Sequence, residues 1–156
     1  MNREIKFRAY DKEDERMTYF DDEDYLYHCP FILRLEQVFK KDSNYDDYED
    51  FEYKDVTDKI ELMQYTGLHD KNGKEIYEGD IIEFSYDEFT GNFDTKVGKG
   101  IVEFIGGAFY IKPFEIEGKK VEDIDNGEWF LLYAVNVDTL KVIGNVYDNK
   151  NLLGGE

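Results

Sequence analysis

Apolar and polar residues alternate with a period of two in several short runs along this chain. In residues 5–10, Ile5, Phe7 and Ala9 fall on one face and Lys6, Arg8 and Tyr10 on the other. That spacing predicts a half-buried strand. The charged Asp11–Arg16 stretch turns the chain, and Met17–Phe20 returns as the hairpin partner. A second alternating run sets Ile60, Leu62 and Gln64 against Glu61, Met63 and Tyr65, and ends at Gly67. The Asp70-Lys71-Asn72-Gly73 segment then carries the Asn-Gly pair that favours a tight hairpin, because both residues tolerate positive φ. Glu78-Gly79-Asp80 reads as another turn leading into a strand at Ile81–Tyr86. Gly91–Gly100, polar and glycine-rich, reads as a long hairpin loop. Gly100–Ile105 and Ala108–Phe114 form the next pair across Gly106-Gly107. Trp129–Val135 is a buried element, with Trp129 in the core, and Lys141–Tyr147 is the closing strand.

Two stretches depart from this pattern. Phe31, Leu35, Val38 and Phe39 recur at spacings of three and four, which predicts a helix over residues 31–40. Residues 41–58 interleave acids with rings: Tyr45, Asp46, Asp47, Tyr48, Glu49, Asp50, Phe51, Glu52 and Tyr53 stand in succession. They read as an exposed segment that orders on a partner, or as a solvated connector with some rings tucked onto the core. The organisation expected is therefore an N-terminal part, 1–58, with a hairpin, a short helix and the acidic insertion. A β-barrel subdomain follows over 59–148, then a tail over 149–156. The fold class is mainly β, with α+β as the alternative, and has a small antiparallel barrel in the C-terminal half, since closure removes the exposed edges of short strands.

Composition narrows the function. Aromatics make up 17% of the 156 residues, ample for a core despite the charge. With 37 Asp+Glu against 19 Lys+Arg, the formal net charge is −18. Such a surface repels phosphate backbones and anionic lipid, so neither direct nucleic-acid binding nor membrane binding is expected. The single cysteine, Cys29, forms no intramolecular disulfide and fits a reducing cytoplasm. No apolar run approaches the roughly 20 residues of a membrane helix.

Candidate chemistry is sparse. Asp123–Glu128 has the look of a calcium loop, but its glycine is misplaced and Ala134 occupies the position that needs a bidentate acid. His28 and Cys29 are adjacent, so on a strand they point to opposite faces and cannot readily share a metal or form a nucleophilic pair. Ser43 and Ser85 lie outside any nucleophile elbow, and Gly98-Lys99-Gly100 matches no phosphate loop. The expectation is a protein that is not an enzyme, with no metal and no cofactor. In the central block, Tyr65, Thr66, Asp70, Tyr77 and Asp80 are the candidate partner-binding ridge. Turn and core demands explain the same residues, and His69 reads as an exposed turn residue.

Three segments, Ile5–Asp11, Met63–Asp80 and Val142–Tyr147, together resemble the YopX family, and they frame nearly the whole chain. The resemblance implies a mainly β fold with an SH3-like barrel. It also implies a small protein encoded by a bacteriophage or prophage, hence a bacterial host cytoplasm, with no assigned activity. Three functions remain open: a module binding a host or phage protein, an acidic DNA mimic that occupies a basic nucleic-acid-binding protein, and a self-assembling homo-oligomer.

Overall fold

The computed structural model describes residues 4–20, 31–34, 37–41, 53–89, 93–119 and 130–153. The chain is mainly β and divides into two compact units, Lys6–Met63 and Gln64–Glu156 with Met1–Ile5. Among the described residues the only helical pieces are short 3-10 turns at Thr57–Lys59, Leu132–Ala134, Val137–Thr139 and Lys150–Leu153. No helix among them is long and apolar enough to cross a membrane.

In the Lys6–Met63 unit, β1 (Phe7–Asp11) pairs antiparallel with β2 (Arg16–Tyr19), as the alternation predicts. Asp11 builds the connecting turn by accepting hydrogen bonds at Oδ1 from the N–H groups of Glu13 and Asp14, at 2.9 and 3.1 Å. The strand is not half-buried, however. Arg8, Ala9, Tyr10 and Asp11 are all buried, so both of its faces are covered. Ala9, Phe20, Val56 and Ile60 form the core, with Phe7 packed against them.

The helix expected over 31–40 is replaced by a hairpin. β3 (Phe31–Arg34) and β4 (Gln37–Lys41) pair with Ile32 opposite Phe39 and Leu33 opposite Val38, and β5 (Tyr53–Asp55) adds to β4. The helical spacing and the strand pattern coincide in so short a run. Aromatic and β-branched residues favour the extended backbone once a neighbouring strand takes its hydrogen bonds. Most of the acidic aromatic segment, Tyr45 to Glu52, lies outside the described residues, as do His28, Cys29, Asp123–Glu128 and Trp129. Tyr53 begins β5.

The other unit starts at Gln64, within β6 (Ile60–His69). Alternation along β6 is broken: Met63, Tyr65 and Thr66 are buried while Leu62 is exposed. β7 (Glu75–Tyr77) pairs back on β6, with Tyr65 opposite Tyr77 and His69 opposite Glu75. Then come β8 (Asp80–Phe89), β9 (Phe93–Ile105), β10 (Ala108–Ile116), β11 (Phe130–Leu131) and β12 (Lys141–Asn145). They form one antiparallel sheet in the order β11-β10-β9-β8-β12. The sheet is a half-barrel with β11 and β12 as its edges, bent by irregularities at Pro113/Glu115 and Val142/Gly144. Its core gathers Ile82 and Phe84 of β8, Val102 of β9, and Phe109 and Ile111 of β10. Ile76, Leu132, Val135 and Leu140 complete it. The expected tail is partly built in, because Lys150–Leu153 forms a 3-10 turn and Asn149 Oδ1 accepts from the Asn145 N–H.

The stretch read as a glycine-rich loop is strand as far as it is described, since β9 runs unbroken from Phe93. Gly98 and Gly100 serve close packing there. A Cβ on Gly100 would sit 2.5 Å from Ile111 Cγ2 and 2.7 Å from the Lys112 carbonyl oxygen. Gly100→Ala therefore drives a methyl into backbone that cannot yield without disturbing the β9–β10 ladder. It should cost about 1–3 kcal/mol in urea unfolding, whereas Val97→Ala at an exposed position of the same strand should change stability by no more than about 0.5 kcal/mol.

Candidate functional site

The five residues of the expected ridge do come together in one unit, but as interior. Tyr65, Thr66, Asp70, Tyr77 and Asp80 are all buried, so they offer no surface for a partner. Thr66 Oγ1 donates to the Ile76 carbonyl at 2.8 Å, and Asp80 Oδ2 accepts from the Tyr77 N–H at 2.8 Å. The Tyr65 and Tyr77 rings pack against each other at a tilt of 44°, with centroids 5.4 Å apart. The Tyr77 hydroxyl donates to Glu75 Oε2, and the Tyr65 hydroxyl lies 3.2 Å from Nδ1 of the exposed His69.

Asp70 is the centre of this block. Its Oδ1 accepts from the N–H groups of Asn72 and Lys74, and its Oδ2 from the N–H of Val142 on β12. The turn it encloses ends on Gly73 at φ +82°; Asn72 is not at positive φ, so the glycine alone of the Asn-Gly pair takes the left-handed conformation, in a connection longer than a two-residue hairpin turn. Lys71 N–H adds a bond to the Leu140 carbonyl at 2.9 Å. Burial pushes the Asp70 carboxyl up, but the Lys74, Val142 and Asn72 N–H donors outweigh it and hold the group below the ordinary aspartate value.

Bonded to that turn, Leu140 ends a connection from β11 to β12 that borders a cleft of about 740 Å³. Tyr86 and Phe130 supply its rings, with centroids 4.8 Å apart, and Ser85, Asp87, Thr95, Asn136 and Thr139 supply polar atoms. Thr139 shapes one wall: its Oγ1 accepts from the Ser85 N–H at 3.1 Å and donates to the Asn136 carbonyl at 2.7 Å. Across β8 and β9, Thr95 Oγ1 donates to Asp87 Oδ1 at 2.9 Å. Sequence reading passed over these residues, because the cleft is made by a connection returning to β8 from 54 positions away. No local pattern marks such a meeting. Among the described residues no three His, Cys, Asp or Glu side chains come together as a metal site would require.

The edge of β8 beside the cleft has a definite hydrogen-bonding sense. Pairing with β12 stops at Glu83 opposite Lys141, while β8 continues to Phe89. Ser85 sends its N–H to Thr139, and its β9 partner Val97 turns its N–H and C=O toward Glu117. Ser85 and Val97 are thus a pair that does not exchange hydrogen bonds. By the alternation of an antiparallel ladder, neither do Asp87 and Thr95. The backbone N–H and C=O of Asp87 consequently face the cleft side.

Asp70 gives this region a pH signature. Its folded value is lowered, so its contribution is complete above the unfolded-chain value of about 3.9 and is lost as pH falls through the lower folded value. Asp70→Asn should lower stability by about 2–3 kcal/mol near neutral pH. In urea midpoints measured against pH, the gap between wild type and variant should close in the acid window below about pH 4. A gap independent of pH would show that the charge contributes nothing.

A family model described as "YopX protein" matches residues 6–154. Among solved structures, the chain is similar to protein EF1440 from Enterococcus faecalis, at 22% identity and a TM-score of 0.50 over 97% of this chain and 99% of that one. That likeness concerns the fold. None of the curated proteins compared matches the chain. With the family match spanning nearly its whole length, the mainly β chain belongs to the YopX family.

Proposed function

We propose that this chain is a non-enzymatic protein-binding module of the phage or prophage type, and that it binds through the cleft beside β8. The observation carrying this reading is the mismatch in strand length, with β8 running on to Phe89 after β12 has left it at Glu83. The mismatch turns backbone hydrogen-bonding groups toward a groove floored by the Tyr86 and Phe130 rings. A floor of rings with backbone donors and acceptors along one side suits a polypeptide segment. The polar side chains of the cleft support binding rather than turnover, since Thr139, Asn136 and the Thr95–Asp87 pair are engaged in holding neighbouring chain.

Ala134 lines the cleft and is exposed, so Ala134→Trp fills the groove without touching the core. The variant should unfold within about 0.5 kcal/mol of wild type. Immobilised in parallel, wild type should retain a bacterial host protein that the variant lets pass. Equal retention by both, at low and high salt, would rule the cleft out as the binding site.

A further inference from the structure

We infer that the β8 edge takes its partner as an added β-strand, and that the partner segment alternates apolar with basic residues. The inference rests on the reading of the cleft as a protein-binding site and specifies how it is used. In a strand, residues i and i+2 turn their backbone groups to the same side. Ser85 donates its N–H to Thr139 on the cleft side, so the Asp87 and Phe89 amides follow it. The edge thus presents the Ser85 carbonyl, the Asp87 N–H and carbonyl, and the Phe89 N–H. From Ser85 to Phe89 that is about 14 Å, the length of a five-residue strand. Among the described residues no strand pairs with β8 on this side beyond Glu83.

The chemistry of the occupant follows from the two faces of β8. Tyr86 belongs to the inward face with Ile82 and Phe84, and the Tyr86 and Phe130 rings line the cleft there. Asp87 is on the opposite face, exposed, and among the described residues lining the cleft it is the only carboxylate. Thr95 holds its Oδ1, and Oδ2 is the acceptor for a cationic side chain. An added strand lying beside β8 sends alternate side chains to these two faces, so apolar residues meet the rings and Lys or Arg meets Asp87. The net charge of −18 attracts such a segment at long range and repels an acidic one.

The test pans a displayed library of random octapeptides against the full-length protein, then measures the best binder as a synthetic peptide. Enriched sequences should alternate apolar residues with Lys or Arg, and the bound peptide should slow amide exchange at Asp87 and Phe89. Asp87→Pro removes the outward N–H but no β8–β9 hydrogen bond, so it should fold and lose about tenfold or more in affinity. N-methylation at alternate peptide amides should do the same to the wild-type complex, independently of any effect of proline on folding. Asp87→Asn should keep strand addition and lose the basic preference. Undiminished binding to Asp87→Pro together with undiminished binding of the N-methylated peptide would overturn strand addition while leaving the cleft as the site. Enriched acidic sequences would overturn the stated chemistry. If no displayed peptide distinguishes wild type from Ala134→Trp, the cleft reading fails and this inference fails with it.

Discussion

A buried carboxylate organises the Gln64–Glu156 unit. Asp70 accepts backbone hydrogen bonds from Asn72 and Lys74 within its own turn, and from Val142, which lies 72 positions along the chain. A buried acid without such donors would carry a heavy desolvation cost, so the group stays charged only because the donors are in place. The same geometry fixes the turn between β6 and β7 against the last strand. Asp70 therefore ties the turn of one sheet to the last strand of another, two parts far apart in sequence.

The consequences reach the cleft through the covalent chain. Val142 is held by Asp70 and Leu140 by Lys71, so the residues just before them have little freedom. Thr139 and Asn136 belong to that stretch and shape the wall beside Ser85. The side of the cleft facing β8 is thus set by a carboxylate that does not line it. Where β12 begins decides how much of β8 it pairs with, and the Asp70 bond to Val142 holds that beginning in place. A sheet edge is normally protected against chance pairing. Here Thr139 takes the Ser85 amide, and the edge opens only beyond it.

Much of the fold was legible because two cues act locally. Alternation in residues 5–20 gave the first hairpin, and Asn72-Gly73 marked the turn between β6 and β7, each from the conformational needs of a few neighbours. The apolar pairs around Gly106-Gly107 gave β9 and β10 in register. Reading failed where two periodicities coincide. Phe31–Lys40 satisfies helical and extended spacing alike, and pairing with neighbouring strands decided for the hairpin. The glycines near residue 100 look like loop punctuation, yet they sit inside β9 because the β10 backbone approaches too closely for a Cβ.

The site divides in the same way. Tyr65, Thr66, Asp70, Tyr77 and Asp80 were recognisable as a connected block, but a strand pattern does not say which of two faces meets solvent. Packing on both faces took all five inside. The sequence by itself determined the strand-rich class, the turns at Asn72-Gly73 and Gly106-Gly107, and the acidic surface, because each follows from the chemistry of adjacent residues. Only the tertiary structure decided that β12 leaves β8 at Glu83, that Thr139 meets Ser85, and that Asp87 faces a cleft. Those facts come from hydrogen bonds between residues tens of positions apart, and no local pattern encodes them.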